Sequence, residues 1–292
     1  MLNRRELLNI GLLNLGASAG VATLLASDRG QAADESRPSF PIVDSNVSLF
    51  HWPFHRLPLD QTDKLLNKLR SLGIHSAWAG SFEGVLHRDV AGVNQRLAEE
   101  CKQHPELVPI GSVNLALPDW KEDLRRCIEI HQMRGVRLHP NYHGYALDDP
   151  RFAELLELSA KAGRFVQLAA AMEDTRTQYP LLQTPDVDLT PLPAAMNRIK
   201  AAKVQILNVR PRPPLLSQLA KTSGIYFDTA RVEGTDGVPN LVKSLPRGRV
   251  LFGTHAPFLI PEAALIRVHE SNLLDEAALR DVFSENAEKL IR

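Results

Sequence analysis

Gly248-Arg249-Val250-Leu251-Phe252-Gly253-Thr254-His255-Ala256-Pro257-Phe258 is the stretch whose reading decides the fold. A charged turn leads into a short apolar segment, Val250 to Phe252. The segment stops at Gly253, presents Thr254 and His255, and turns at Pro257. An apolar run this short, bounded by turn residues and ending in polar side chains, reads as a buried parallel strand that carries polar groups to its C-terminal end. The pattern recurs at Ile42-Val43-Asp44-Ser45-Asn46, at Gly135-Val136-Arg137-Leu138-His139-Pro140, at Val204-Gln205-Ile206-Leu207-Asn208 and at Ile225-Tyr226-Phe227-Asp228. Polar strand ends that converge on one mouth are the arrangement of a (β/α)8 barrel, where chemistry sits at the strand C-termini. The expected fold is therefore α/β, a single TIM barrel.

Working outward from that stretch, short apolar runs alternate with amphipathic ones from Phe40 to the C-terminus. Strands are expected at about 42–49, 75–79, 108–113, 136–138, 165–169, 204–207, 225–227 and 250–252. Helices are expected between them, the first at about 61–72 with Leu65, Leu66 and Leu69 at helical spacing and Gly73 behind it. Pro118-Asp119 and Asp149-Pro150 read as helix starts. A long loop, 172–190, follows the fifth strand, and helices at about 261–269 and 275–291 close the chain. Eight units in roughly 250 residues match the size of such a barrel. An open doubly wound sheet would not need eight regular units.

The barrel is expected over residues 40–292. Residues 1–33 read as an export signal: Asn3-Arg4-Arg5-Glu6-Leu7-Leu8 precedes an uncharged run to Ala26, and Gly30-Gln31-Ala32 is a small-x-small cleavage site. The paired arginines resemble a twin-arginine signal, with Leu7 where the pattern prefers Phe. That resemblance implies a bacterial, periplasmic or secreted protein. The uncharged run is too short and polar to leave a membrane span after cleavage.

Lys plus Arg and Asp plus Glu both number 34, so the formal net charge is zero. A nucleic-acid partner would call for a basic excess and is not expected. Cys101 and Cys127 fall in helix-like stretches and read as buried packing. The partner expected is a small-molecule substrate or ligand, and the composition is compatible with a monomer or an oligomer.

Arg137-Leu138-His139-Pro140-Asn141-Tyr142-His143-Gly144-Tyr145, followed by Asp149-Pro150-Arg151-Phe152, resembles the fourth strand and loop of amidohydrolase-related proteins. Leu251 to Pro257 resembles their eighth-strand signature, and Asn286-Ala287-Glu288-Lys289-Leu290 their C-terminal helix. The resemblance runs from Ile42 to the C-terminus. It implies a barrel of the metal-dependent hydrolase superfamily, whose members act on amide, ester or C–C bonds.

The departures bear on the metal. The family's first strand ends in His-x-His, and here those positions read Asn46-Val47-Ser48. The fifth-strand histidine position falls in Ala169-Ala170-Ala171, the sixth-strand one reads Asn208, and the eighth-strand aspartate reads His255. Asn and Ser oxygens are poor zinc ligands, and His139 alone survives from the expected set. No metal ligand is assigned. A divalent ion such as zinc stays open as a cofactor at a different seat, for example among His51, His55, His143 and His255.

Three readings follow: a metal-free or rebuilt hydrolytic site for a small polar substrate, a barrel that binds a ligand without turning it over, and a relocated metal. For the first, His139, His255 and Asp228 are the candidate catalytic groups, since imidazoles and carboxylates move protons near neutrality. Asn46, His51, His143, Arg176 and Asn208 are the candidate substrate-binding groups. Arg176, after the fifth strand, could grip a carboxylate with its planar fork or could simply pair with Glu173 and Asp174 to shape its loop. Arg210 and Arg212 form a second basic cluster after the sixth strand.

Overall fold

The computed structural model describes residues 40–210 and 212–292. The export signal expected at residues 1–33 lies outside them. Eight parallel strands pair in sequence order: β1 (Ile42–Leu49), β2 (Ile74–Ser81), β3 (Leu107–Ser112), β4 (Gly135–Leu138), β5 (Phe165–Ala169), β6 (Val204–Leu207), β7 (Ile225–Asp228) and β8 (Val250–Leu251). The sheet closes where β1 meets the segment after β8. Ser45 N donates to Phe252 O and Ser48 N to Ala256 O, both at 2.9 Å, and His255 N donates to Asn46 O at 2.9 Å. The closed sheet is a single (β/α)8 barrel.

Helices follow the strands: α1 (Thr62–Ser71), α2 (Val90–Gln103), α3 (Trp120–Arg125), the short α4 (Pro140–His143), α5 (Pro150–Lys161), α6 (Leu192–Arg198), α7 (Leu215–Lys221), α8 (Gly237–Ser244), α9 (Pro261–His269), α10 (Glu276–Arg280) and α11 (Asn286–Ile291). The longer ones lay an apolar stripe on the barrel's outer face. Helix α1 buries Leu65, Leu66 and Leu69, and α5 buries Phe152, Leu155 and Leu156. Full burial of such side chains stabilises by about 1.5–3 kcal/mol each.

Capping follows the sequence in part. The Asp149 carboxylate accepts from Arg151 N at the start of α5, whereas Asp119 makes no such bond. Instead α3 starts on the buried Trp120 ring, and it continues through a π-turn (Arg126–Ile130) that ends short of Gly135. A second π-turn (Asp281–Glu285) joins α10 to α11 within what the sequence reads as one helix. It packs against β8: Phe252 N donates to Val282 O at 2.8 Å and the Asn286 amide to Val250 O at 2.9 Å.

Candidate active site at the barrel mouth

The barrel interior is polar where the strand pattern looks apolar. Arg137, Gln167 and Gln205 are register partners on β4, β5 and β6. Arg137 Nε donates to Gln167 Oε1 (2.9 Å), Gln167 Nε2 to Gln205 Oε1 (2.9 Å), and Gln205 Nε2 to Ser45 Oγ (2.7 Å). Arg137 Nη1 also donates to Val47 O and Ser48 Oγ, at 3.0 Å each. These groups are buried, so each missing partner would cost about 1–3 kcal/mol, and the belt fixes them in one arrangement.

Next to this belt sit three residues the sequence marks as site candidates. Asn46 Nδ2 donates to Asn208 Oδ1 (2.7 Å) and Asp228 Oδ2 (2.6 Å), and Asn208 N donates to Asp228 Oδ1 (3.0 Å). A carboxylate can only accept, so the Asn46 amide is oriented by its Asp228 bond. Gly253 lets the group close up: a Cβ there would stand 3.0 Å from the Asp228 Cβ and 3.1 Å from the Asn46 Cβ. Asp44 accepts from Asn46 N, Thr254 N and Thr254 Oγ1. Burial nevertheless raises Asp44 to about 7 and Asp228 to about 6, and the same desolvation lowers Arg137 to about 10.

The histidines lie at the mouth. His139 and His143 flank the start and end of α4, their rings 5.8 Å apart. His143 Nε2 donates to Gly84 O (3.0 Å) and His255 Nε2 to Met172 O (2.6 Å). A carbonyl can only accept, so each ring keeps its lone pair on Nδ1. Burial pushes His143 down to about 4, His255 to about 3 and His139 well below its ordinary value, so all three are neutral at pH 7. Asn208 and His255 both hold left-handed backbone, φ 62° and 57°. For His255 this is an uncommon conformation, of the kind that concentrates at functional sites.

An aromatic cluster gathers at the mouth. Trp52, 2 % exposed, is ringed edge-on by Phe54, Phe82, Tyr142 and Phe258 at 4.9–5.8 Å, and Phe258 stacks on His255 at 5.0 Å. Glu173, directly behind β5, is buried near Trp52 and His55, and burial raises its carboxyl. Sequence reading takes Glu173 only as a loop-shaping charge; its position directly after a strand end was the signal for more. His139 Nδ1, His143 Nδ1, Arg137 Nη2 and Glu173 Oε2 are buried without a hydrogen-bond partner.

The structure thus gathers Asn46, His139, His143, Asn208, Asp228 and His255. It leaves two candidates apart. His51, with a 57 % exposed side chain, faces Asp60 at 3.4 Å in an outer cleft. Arg176 is 86 % exposed and forks onto Asp174, its neighbour two residues back, rather than onto the mouth. The relocated metal seat is not assembled, because His51 stands outside in the cleft beside Asp60. Among the described residues no group of three His, Cys, Asp or Glu stands close enough to hold an ion. At the strand positions Asn46 already donates to its neighbours and Asn208 is an amide. This donor set does not fit the superfamily's metal centre.

An amidohydrolase family model matches residues 51–292, and the chain belongs to that family. No curated protein matches the chain. Similar solved structures include 2,6-dihydroxybenzoate decarboxylase from Rhizobium, at TM-score 0.65 and 16% identity over 85% of this chain and 98% of that one. A 5-carboxyvanillate decarboxylase from Novosphingobium aromaticivorans, with bound manganese, gives 0.65 and 11% over 87% and 97%. Metarhizium anisopliae IDCase in its apo form gives 0.66 and 13% over 87% and 97%. At these identities the likeness is one of fold.

Proposed function

We propose that the chain is an exported enzyme of the amidohydrolase family that hydrolyses a small polar carbonyl compound at the barrel mouth, using side-chain groups in place of the metal. The observation that carries this is the set of buried polar atoms left without a partner there, on His139, His143, Arg137 and Glu173. Their chemistry is complementary. Neutral His139 can take a proton from an attacking water through Nδ1. The Arg137 Nη2 donor can face the oxygen on which charge builds. The protonated His139 can return that proton to the departing oxygen or nitrogen as that bond breaks, and Glu173, its carboxyl raised by burial, lies on the loop after β5. Asp228 and His255 hold the frame: the one orders Asn46 and Asn208, the other ties β8 to the loop after β5.

A second reading, a barrel that binds a ligand without turnover, draws support from the aromatic cluster and from the internal hydrogen bonds of Asp228 and His255. A panel of esters, lactones and amides, assayed with and without chelator, separates the two. Turnover that survives chelation and falls at least about 100-fold in His139→Ala is expected, the range of general acid–base loss. Saturable binding with no turnover of any panel member would favour the binding protein. Activity unchanged in His139→Ala would remove His139 from the mechanism.

A further inference from the structure

A cleft of about 640 Å3 opens beside the mouth, between the loops that follow β6 and β7. Arg210, Arg212 and Arg231 line it above an apolar floor of Leu216, Val232 and Leu241. Glu233 is the one acid on its wall, so the lining carries an excess of two positive charges. Arg210 is seated rather than trailing: one of its terminal nitrogens donates to Glu233 O, against Gly234, whose φ of +91° only glycine adopts freely. A side chain at 234 would meet that guanidinium at 2.9 Å. Val232 and Leu241 are 1% and 5% exposed, which gives the cleft a packed base. The Arg231 charge contributes to lowering both His255 and Asp174. Among the described residues, none of the three guanidiniums is within ion-pair distance of a carboxylate.

We propose that this cleft binds a compact dianionic group, a phosphoryl monoester or a paired carboxylate. Guanidinium forks match the geometry of both, and two or three converging on one group supply directional, charge-assisted bonds. Resting on the mouth reading, the cleft anchors the charged end of the substrate while its reacting carbonyl lies toward His139.

The test uses the full chain in low-salt buffer, with inorganic phosphate and malonate as probes and sodium chloride at matched ionic strength as control. Calorimetric binding of at least one probe is expected, weakening with added salt because the site is exposed. Preference for one probe tells the phosphoryl source from the carboxylate source. Arg210→Gln with Arg231→Gln should weaken binding at least about tenfold, as loss of charge-assisted contacts does, while His139→Ala leaves it within about twofold. Binding of neither probe above the chloride control would overturn the proposal, as would undiminished binding by the double variant. Because the probes are not turned over, failure of the cleft shows here, whereas failure of the mouth mechanism shows only in the His139→Ala turnover.

Discussion

Replacing Asn46 by alanine removes the amide that joins three strands. Its Nδ2 donates at 2.6 Å to Asp228 on β7 and at 2.7 Å to Asn208 behind β6, and the residue has no exposure. The bond to a carboxylate is worth about 1.5–3 kcal/mol and the one to a neutral amide about 1 kcal/mol. The two acceptors left behind stay buried, so little of that loss is recovered from water. The bonds sum to about 2.5–4 kcal/mol, and leaving the acceptors unsatisfied adds about 1 kcal/mol, so we expect Asn46→Ala to destabilise by about 3–5 kcal/mol. In a domain of this size each kcal/mol moves Tm by about 2–4 °C, which gives a drop of roughly 6–20 °C. Urea unfolding followed by tryptophan fluorescence should show a lower midpoint at unchanged slope. A loss below about 1 kcal/mol would refute the view that this amide holds the interior together.

Asn46→Asp sharpens the test, because it changes charge without changing size. Two carboxylates in this contact cannot both ionise, so the pair's proton is held to a raised pKa. Asp228 already stands at about 6 in the wild type through burial. A raised folded-state pKa means that stability is fully present below the ordinary carboxylate range, about 4, and is lost as pH rises through the folded value. The variant should approach wild-type stability near pH 4.5 and fall away from it toward pH 8, by up to about 1.4 kcal/mol per pH unit. A difference from wild type that does not change with pH would sink this reasoning.

The remaining expectations concern metal, pH and export. Protein purified without added metal should carry well under one equivalent of zinc, manganese or iron, and chelator should leave Tm unchanged; a stoichiometric ion lost in His139→Ala and His255→Ala would move the chain to ordinary metal-dependent hydrolysis. His143 is buried neutral with its pKa lowered to about 4, so the stability it contributes is present above about 6.5 and lost as pH falls toward 4. The stability difference between wild type and His143→Gln should therefore shrink over that interval by up to about 1.4 kcal/mol per unit, and a difference flat from pH 7 to 4 would show the ring to be exposed or already charged. Fractionation of cells carrying Arg4→Lys with Arg5→Lys should find the chain retained in the cytoplasm, and normal export would end the twin-arginine reading.

The barrel was legible because its signal is repetitive. Each strand is a short apolar run ended by a polar residue, and the error at most boundaries is one or two residues: β7 extends to Asp228, and β8 stops at Leu251 rather than Phe252. The π-turns were not legible, since Arg126–Ile130 and Asp281–Glu285 carry ordinary helical composition. At the mouth, the sequence marked His139, Asn208, Asp228 and His255 by their place at or just after strand ends, and Asn46 by the family resemblance, although it lies inside β1. Gln167 and Gln205 could not be found so, because a single polar residue inside an apolar strand does not say which partner across the sheet will satisfy it. Nor could the aromatic cluster: Trp52 lies in a Pro-rich loop, and its four ring neighbours come from segments as far apart as Phe82 and Phe258. Arg176 misled for the opposite reason. Its nearest acid, Asp174, is two residues away, and local pairing won over a reach toward the mouth.

The interior also explains how the fold persists with so few of the superfamily's ligands. Polar strand ends crowded into a barrel must be neutralised by something, and an ion coordinated by imidazoles and a carboxylate is one solution. Here the Asn46 amide turns both its hydrogens to the oxygens of Asn208 and Asp228, while the buried Arg137 guanidinium supplies positive charge opposite Asp44 and Asp228. Two acids against one cation leave an excess of negative charge, and burial answers it by raising both carboxyls to about 6 and 7. A belt tied by this many buried hydrogen bonds has little capacity to rearrange during a reaction. The buried atoms left free to meet a substrate are Arg137 Nη2, at the edge of the belt, and those of His139, His143 and Glu173. Trp52, carried by the 50–60 loop, is buried among the rings at the mouth, so substitutions in that loop should alter ligand binding there even where they touch no polar group of the site.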